Sequence, residues 1–478
     1  MSELTRPMAG FDSLMWGLER LPRMRSWIVT AVVLESAPDE AVLRERLTQL
    51  AAQVPRLRST VLPAPRPLAA RRWLEHDGFD ADAILSRVSV RDVPGGLPAL
   101  LARTADAPYE AGSPVWSAQI VDDLPEGRSG LVVRLHHSVT DGAGAMIMAA
   151  LFFESDATGT RLMEQAPSVA QGAGTEAGGS PAGRTMIHRV DQVSASVRED
   201  VSLLASLARR AGGAVPSVAA RALADPGSVV SGAGAYAASL ARLMLPAAAP
   251  LSPVMTRHEA RSAVGLLQYP VAELKDAARR YGGRLNDVYV AGVLTGLRAY
   301  HEASGVDPAE VPALRIYIPV NTRPSEDTSA GGNQFTPLRV ELPLAIGSPA
   351  ELVTAVRERL TAGRAEPALG AGAAVTELLG RMPTSVAGQL VSGMFYGLDA
   401  CVTNVPGPPM PLWVGGRRVE ALYALAPRSG SALCTCLLSY DGTAYVVVNS
   451  DAGAVTDPGL MNSCLAEGMR AVLAGTGG

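Results

Sequence analysis

Two adjacent histidines begin the segment of this 478-residue sequence that is best suited to proton transfer, HHSVTDG at residues 136–142. It directly follows LVVRL (131–135), a run typical of a strand. Successive side chains of an extended backbone point to opposite faces, so one histidine is expected to face a cavity while the other packs inside the domain. Because imidazole has an ordinary pKa of about 6.5, the pattern indicates general acid–base chemistry near neutral pH.

The rest of the segment offers support for such a ring. Asp141 is expected either to orient an imidazole directly or to anchor the loop through an arginine. Gly142 is expected to permit a tight backbone turn where a Cβ would interfere. A metal site is disfavoured, because neighbouring strand histidines diverge and neither H-x-x-x-H nor H-E-x-x-H includes them. The open alternative is that both histidines are structural.

The elements around this segment predict an α/β fold. Residues 27–34 (WIVTAVVL) are rich in β-branched residues and predict a strand. Between Pro38 and Pro55, the spacing of Leu43, Leu47, Leu50 and Val54 predicts an amphipathic helix. Residues 143–153 have the composition of a buried helix.

A second α/β segment follows towards the end of the chain. Helical spacing runs over 284–300, and strands are predicted at 316–320, 338–342, 433–440 and 444–448. The proline-rich stretch 403–411 is predicted to be irregular, because proline fixes φ and removes a donor. Cys434 and Cys436 fall on one face of a strand and are interpreted as core thiols.

A change of composition separates the two segments. Residues 165–183 are rich in Gly, Ala, Ser and Pro and read as a flexible linker. Residues 186–253 are rich in Ala and Arg, and either a membrane-contacting surface or a packed helical crossover fits them. We therefore predict an N-terminal subdomain at 1–163, a linker and crossover at 164–256, and a C-terminal subdomain at 257–478.

Composition excludes several classes of protein. Apolar residues make up 47% of the chain and charged residues 18%, which excludes a disordered polyelectrolyte. A net charge of −4 with no basic cluster disfavours nucleic-acid binding. No G-x-G-x-x-G or Walker lysine supports nicotinamide or nucleotide-hydrolysing chemistry. Four cysteines and no evident signal peptide predict a cytoplasmic protein, with contact to the inner membrane face or lipid droplets left open.

Residues 136–142 match the H-H-x-x-x-D-G motif of the CoA-dependent acyltransferase superfamily, which includes chloramphenicol acetyltransferase and the condensation domains of peptide synthetases. Other segments narrow the resemblance to the bacterial wax ester synthase/diacylglycerol acyltransferase family, and their order and spacing cover nearly the whole chain. This further resemblance is carried by Pro114 and Trp116 in SPVWSAQIVDDL, Asn286 and Asp287 in RLNDVYVAGVLTGLRAY, Pro319 and Arg323 in IPVNTRP, and Asn404 and Gly407 in TNVPGPPMPLWVGG.

The resemblance implies a fold and a mechanism. Two chloramphenicol-acetyltransferase-like subdomains would form a pseudo-dimer around a central channel, with acyl-CoA entering from one face and an alcohol from the other. His137 would be the general base on the acceptor hydroxyl, and once protonated it would neutralise the departing CoA thiolate. His136 would be structural, and Asp141 would hold the loop through Arg323. Acyl-CoA would be a substrate, with no cofactor or metal.

The remaining matched residues are assigned supporting roles. Asn286 and Asp287 are favoured as helix-start residues over catalytic ones. Pro114 and Trp116 are expected to pack or to form channel wall. Asn404 and Gly407 are expected to shape the channel.

The start of the chain departs from the family pattern. In GFDSLMWGLERLPRMRSW, Asp12 and Pro22 fit, whereas Arg23 to Arg25 replace the usual residues. The leading functional prediction is an acyl-CoA-dependent O-acyltransferase that makes triacylglycerol or wax ester from diacylglycerol or a long-chain alcohol. One alternative is an enzyme of the same superfamily that acts on a natural-product or carrier-bound substrate. A second alternative is a non-catalytic lipid-binding protein.

Overall fold

A computed structural model describes residues 4–64, 69–162, 249–321, 335–366 and 379–475. The predicted linker and all but the last residues of the predicted crossover lie outside these ranges, as does Arg323. Within them the chain forms two six-stranded mixed sheets, each covered by helices, and a short three-stranded sheet. The expectation of two α/β halves is therefore confirmed.

The first sheet contains the strand that leads to the two histidines. Its order is β12-β13-β2-β7-β6-β5, antiparallel except between β5 and β6. Valine- and leucine-rich sequences form its centre, because β-branched residues suit a pleated, buried surface. The strands are β2 (Trp27–Leu34), β5 (Leu85–Ser89), β6 (Trp116–Asp122), β7 (Ser129–His136), β12 (Trp413–Val414) and β13 (Arg417–Leu425).

The α-helices described in this part of the molecule are α1 (Gly10–Leu18), α2 (Glu40–Gln53), α3 (Gly96–Asp106) and α4 (Gly142–Phe152). In α2 the predicted apolar face is confirmed, since Leu43, Leu47 and Leu50 are all buried. The expectation of a buried helix at residues 143–153 holds for only part of α4. Ala145, Met146 and Ala149 of this helix line a cavity. The small sheet joins β1 (Leu4–Pro7), β3 (Ser59–Leu62) and β4 (Arg72–Glu75).

The second sheet has the order β10-β9-β11-β14-β15-β8. Its strands are β8 (Ser262–Pro270), β9 (Ala313–Asn321), β10 (Phe335–Pro343), β11 (Ala400–Val405), β14 (Leu433–Tyr440) and β15 (Thr443–Asp451). The helices of this half are α5 (Val271–Arg280), α6 (Leu285–Ala303), α7 (Pro349–Arg364), α8 (Thr384–Phe395) and α9 (Pro458–Ala474). Leucine, valine and tyrosine side chains between α6, α7, α9 and the sheet form its own buried core.

A segment from the C-terminal part of the chain joins the first sheet. Strands β12 and β13 lie late in the sequence, yet β13 pairs with β2, with Leu425 opposite Val29. Part of the region predicted as the C-terminal subdomain therefore completes the first sheet. The prediction that residues 403–411 are irregular is wrong for its first three residues, Thr403 to Val405, which belong to β11. The prolines begin only at Pro406, so these three residues keep their ladder donors.

Among the described residues, no helix combines the length and apolar character needed to cross a lipid bilayer.

Candidate active site

A cavity of about 500 Å³ lies where the two sheets face each other. Its walls come from β2, β7, β13 and α4 of the first half and from β9, β11 and β14 of the second, with α1 and α8 closing one side. Most of the lining is apolar. Within the described ranges, the polar side chains that line it are Ser26, Thr30, His137, Asp141, Tyr317, Thr403, Asn404 and Ser429.

The two histidines lie on different sides of the chain, as alternation along an extended backbone requires. His137, directly after β7, is half-buried and lines the cavity, and its backbone N–H donates to the Ser26 carbonyl at 2.7 Å. His136 is fully buried and does not line the cavity. Only His137 is therefore placed to meet a molecule in the cavity.

The ring of His136 is held by hydrogen bonds on its Nδ1 edge and approaches a carboxylate on its Nε2 edge. Its Nδ1 accepts from the backbone N–H of Ser138 at 3.2 Å and lies 2.7 Å from the Ser138 hydroxyl, which itself accepts from Trp16 Nε1 at 2.6 Å. The proton of the neutral ring is thereby assigned to Nε2, 3.5 Å from a carboxylate oxygen of Glu19. The indole of Trp16 stacks on the ring with centroids 3.8 Å apart.

Burial lowers the pKa of His136 below its ordinary value, and the nearby Glu19 carboxylate opposes that shift. The ring is accordingly neutral at physiological pH. It serves as a fixed part of the interior beside the cavity.

Asp141 caps helix α4. Its Oδ1 accepts from the Gly144 N–H at 2.9 Å, a contact of the kind that stabilises a helix start by about 1 kcal/mol. An arginine also holds this loop: Arg56 Nη1 donates to the carbonyls of Ser138 at 2.7 Å and Val139 at 3.3 Å, and pairs with Asp12 at 3.0 Å. The arginine suggested by the family resemblance, Arg323, lies outside the described residues.

The expectation for Gly142 is wrong in its physical reason. Its φ is not positive, and an added Cβ would meet Val405 at 3.7 Å, an ordinary van der Waals distance. The backbone therefore does not require glycine at this position. A side chain there would instead reduce the space between α4 and β11.

The other matched residues divide into cavity wall and distant supports. Trp116 lines the cavity and donates from Nε1 to the Leu57 carbonyl at 2.8 Å, whereas half-buried Pro114 precedes β6 and does not line it. Asn404 lines the cavity at the end of β11. At Gly407 a Cβ would lie 2.0 Å from the Ser439 carbonyl, so only glycine allows this close approach to β14.

Asn286 and Asp287 lie in the first turn of helix α6, and neither lines the cavity. Asp287 is buried, and its Oδ2 accepts from the Arg284 N–H at 2.8 Å. This is the helix-start contact that the sequence favoured for it.

Sequence reasoning missed several residues around the histidines, above all Trp16, Glu19 and Arg56. Trp16 lies in α1, Glu19 directly follows it, and Arg56 lies in the turn after α2. Each contacts the motif although it is distant from it in sequence. No local pattern shows such contacts. The signal available was the departure of the N-terminal segment from the family pattern. That segment does line the cavity, through Phe11, Leu14, Met15, Leu18 and Met24.

Arg23 and Arg25, which depart from the family pattern in this segment, do not line the cavity. Arg23 lies over the ring of Tyr396, 4.0 Å from its centroid, and donates from Nη2 to the Gly430 carbonyl at 2.8 Å. Arg25 donates to the Asp106 carbonyl. Both bind parts of the fold outside the cavity, so the substitution adds no charge to its lining.

Comparison with known proteins identifies the family. Residues 8–289 match the wax ester synthase/diacylglycerol acyltransferase catalytic domain, and residues 331–472 match the C-terminal domain of the same family. The chain belongs to this family. A putative diacylglycerol O-acyltransferase of Mycobacterium tuberculosis is 30% identical over 99% of this chain and 93% of its own length. A second, probable diacylglycerol O-acyltransferase of that organism is 25% identical over 90% of this chain and 87% of its own.

Solved structures show the same fold for this acyltransferase. The wax ester synthase/diacylglycerol acyltransferase of Marinobacter aquaeolei VT8 superposes with a TM-score of 0.61 at 16% identity, over 98% of each chain. The starter condensation domain of rhizomide synthetase, solved with C8-CoA, gives 0.58 at 14% identity over 98% of this chain and 94% of its own. These neighbours confirm the expected pseudo-dimer of chloramphenicol-acetyltransferase-like subdomains.

Across the described part of this acyltransferase, no three His, Cys, Asp or Glu side chains cluster as metal ligands would. The described cysteines are buried thiols; Cys401 and Cys436 line the cavity, while Cys434 packs against Cys401 in a small apolar cluster.

Proposed function

We propose that this acyltransferase moves a fatty acyl group from acyl-CoA to diacylglycerol, to a long-chain alcohol, or to both, giving triacylglycerol or wax ester. One observation carries the proposal. Among the described residues that line the cavity, His137 is the only imidazole, and it sits in a mainly apolar space bounded by both halves.

In the proposed reaction, His137 takes the proton of the acceptor hydroxyl as the oxygen attacks the thioester carbonyl. A C–O bond forms, the tetrahedral intermediate collapses, and the C–S bond breaks. The proton held by His137 then passes to the departing thiolate, releasing CoA as a thiol. Every atom and charge is balanced between the two substrates, so no acyl-enzyme and no cofactor is needed.

The apolar lining supports a fatty acyl donor. Burying each methylene of an acyl chain contributes about 0.8 kcal/mol. Leu47, Leu50, Met148 and Phe152 on one side and Leu438 on the other offer such contacts without unpaired polar groups. A long chain would therefore gain more in this cavity than a short one.

We further propose that the lipid acceptor arrives from the cytoplasmic face of a membrane or from a lipid droplet. Helix α8 contains no charged residue and exposes Val386 and Leu390, each 46% accessible. Val391, Met394 and Phe395 of the same helix line the cavity. An apolar helix surface thus continues into the apolar cavity, which suits transfer from lipid.

An acceptor panel tests the reaction. Purified protein is incubated with radiolabelled palmitoyl-CoA and either diacylglycerol or hexadecanol, and labelled ester and free CoA are measured. We expect ester from at least one acceptor, and we expect His137→Ala to lower turnover by about 10²- to 10⁴-fold while the protein stays folded. Near-full activity of that variant would reject His137 as the base.

The same panel, extended by a carrier-bound acyl donor and a vesicle-binding measurement, separates the alternatives. The structural likeness to condensation domains supports a carrier-bound acyl donor as the alternative. Activity only with carrier-bound acyl groups would replace the lipid assignment. Absence of CoA release with every acceptor, together with vesicle binding, would indicate a lipid-binding protein.

Vesicle flotation tests the lipid surface. Phosphatidylcholine vesicles with and without phosphatidylglycerol are mixed with wild type, with Leu390→Asp, and with Val42→Asp. Val42 is the matched control, an exposed valine of α2 that does not line the cavity. We expect only Leu390→Asp to reduce flotation; equal flotation of all three proteins would contradict the assignment of α8.

A further inference from the structure

Glu19 is a buried carboxylate next to the proposed base, just beyond the end of helix α1. Its side chain is 7% exposed. One oxygen, Oε1, accepts from Trp27 Nε1 at 2.6 Å. The other, Oε2, accepts from the Ser26 backbone N–H at 3.3 Å and lies 3.5 Å from His136 Nε2.

These contacts bracket His137 from two directions. Ser26, held by Glu19 through its N–H, uses its carbonyl to accept the His137 N–H at 2.7 Å. His136, whose Nε2 lies 3.5 Å from the same Glu19 oxygen, is the preceding residue in the chain. A single carboxylate oxygen therefore contacts both the residue that pairs with the His137 N–H and the sequence neighbour of His137.

The opposite edge of the His136 ring is also occupied, so the ring has one orientation. Nδ1 faces Ser138, whose hydroxyl is bound by Trp16, and Trp16 also stacks on the ring face. Trp27 meets the ring edge-on, with centroids 5.1 Å apart. The Glu19 oxygen at Nε2 completes this enclosure.

Packing alone does not account for a charge in this place. A buried carboxylate is unfavourable unless hydrogen bonds compensate it, and an apolar side chain could fill the same volume. The nearest cation that pairs with Glu19, Arg25, lies 4.0 Å away through Nε. The carboxylate instead directs its oxygens to Trp27, Ser26 and His136, which are the groups around the proposed base.

We propose that Glu19 is a positioning residue for catalysis: it fixes the His136 ring and the Ser26 backbone, and through them the place of His137 in the cavity. The proposal rests on His137 being the general base. A displacement of about 1 Å at a reacting group can lower a rate about 100-fold, so a residue that never touches substrate can still control turnover.

Three variants test this role, with palmitoyl-CoA as the donor and with diacylglycerol and hexadecanol, assayed separately, as acceptors. Glu19→Gln removes the charge at equal size, and Glu19→Asp keeps the charge but cannot span both Ser26 and His136. Glu154→Gln is the matched control, because Glu154 is also buried and paired, with Arg46 at 2.9 Å, but does not line the cavity.

We expect Glu19→Gln to lower kcat about 10- to 100-fold and Glu19→Asp about 3- to 10-fold, each with KM for palmitoyl-CoA within about threefold of wild type. Glu154→Gln should leave kcat unchanged. Should Glu19→Gln fail to fold, Glu19→Asp decides the matter, and a wild-type kcat in that variant overturns the proposal.

A double-variant cycle separates positioning from general structural damage. If Glu19 acts through His137, adding Glu19→Gln to His137→Ala should cost less than threefold further activity. A further loss of threefold or more in the His137→Ala background would contradict the role. An active His137→Ala protein would instead reject the proposed base itself, so the two failures are distinct.

Discussion

Each half of the molecule contains a buried serine–histidine pair, and the two pairs have different surroundings. In the first half, the Ser138 hydroxyl lies 2.7 Å from His136 Nδ1. In the second, the Ser252 hydroxyl lies 2.8 Å from His301 Nε2, while His301 Nδ1 donates to the Leu297 carbonyl at 2.8 Å. Both rings are fully buried, and burial lowers the pKa of both.

The difference lies in what each pair is attached to. The second ring nitrogen of His301 donates to a carbonyl of its own helix. Ser252 donates from its backbone N–H to Asp399 at 2.8 Å. This pair therefore ties the segment before β8 to the second core. His136 turns its second nitrogen to Glu19 and is followed by a residue that lines the cavity. A serine–histidine pair is therefore an anchor in both halves, and only the first anchor adjoins His137, the residue proposed as the base.

Removing each ring gives the largest contrast. We expect His136→Ala to lower kcat about 100-fold, because the ring that we propose to position His137 is lost, whereas His301→Ala should lower stability by about 2 to 4 kcal/mol and leave kcat near wild type. Turnover per folded molecule and urea unfolding measure the two effects. Equal losses of kcat in both variants would show that the first anchor has no special link to the reaction.

Removing each serine hydroxyl should give a smaller contrast of the same form. Ser138→Ala and Ser252→Ala each leave a buried ring nitrogen without its hydroxyl partner, which costs about 1 to 3 kcal/mol of unfolding free energy. Only Ser138→Ala is expected to lower kcat as well. The loss should be limited to about 3- to 10-fold, because the Ser138 N–H still binds His136 Nδ1. A wild-type kcat in Ser138→Ala, alongside a normal stability loss, would show that Glu19 and Trp16 suffice to hold the ring.

Short stretches of the sequence were enough to predict several elements around the first pair. Residues 27–34 were predicted as a strand and form β2, because a dense run of β-branched residues has few other solutions. The helix expected between Pro38 and Pro55 is α2, bounded by the same prolines and capped by Asp39. The motif at 136–142 and the alternation along β7 were enough to predict which kind of site to expect.

Contacts between distant parts of the chain were not predictable in this way. An apolar strand such as β13 suits either sheet, and nothing local assigns it to β2. Glu19 follows a short helix where an exposed glutamate would be ordinary, and nothing local predicts that it lies beside His136 of β7, over a hundred residues away in sequence. Gly407 likewise needs the Ser439 carbonyl of β14 to explain it.

The smallest expected effect concerns acid stability, where the two anchors should behave alike. Because burial lowers the pKa of His136 and His301 in the folded protein, the unfolded chain binds more protons than the folded one as the pH falls below about 6.5. Stability should therefore decline from about pH 7 towards pH 5, with each ring contributing at most about 1.4 kcal/mol per pH unit.

Urea unfolding of wild type, His136→Gln and His301→Gln across that range isolates each contribution, since other titrating groups are common to all three proteins. Each variant should lose less stability per pH unit than wild type. A variant at position 136 with the wild-type slope, beside a shallower slope at 301, would mean that Glu19 offsets burial enough for His136 to accept a proton in the folded state. The first pair would then contain a protonated histidine, and the two pairs would resemble each other in geometry but not in charge.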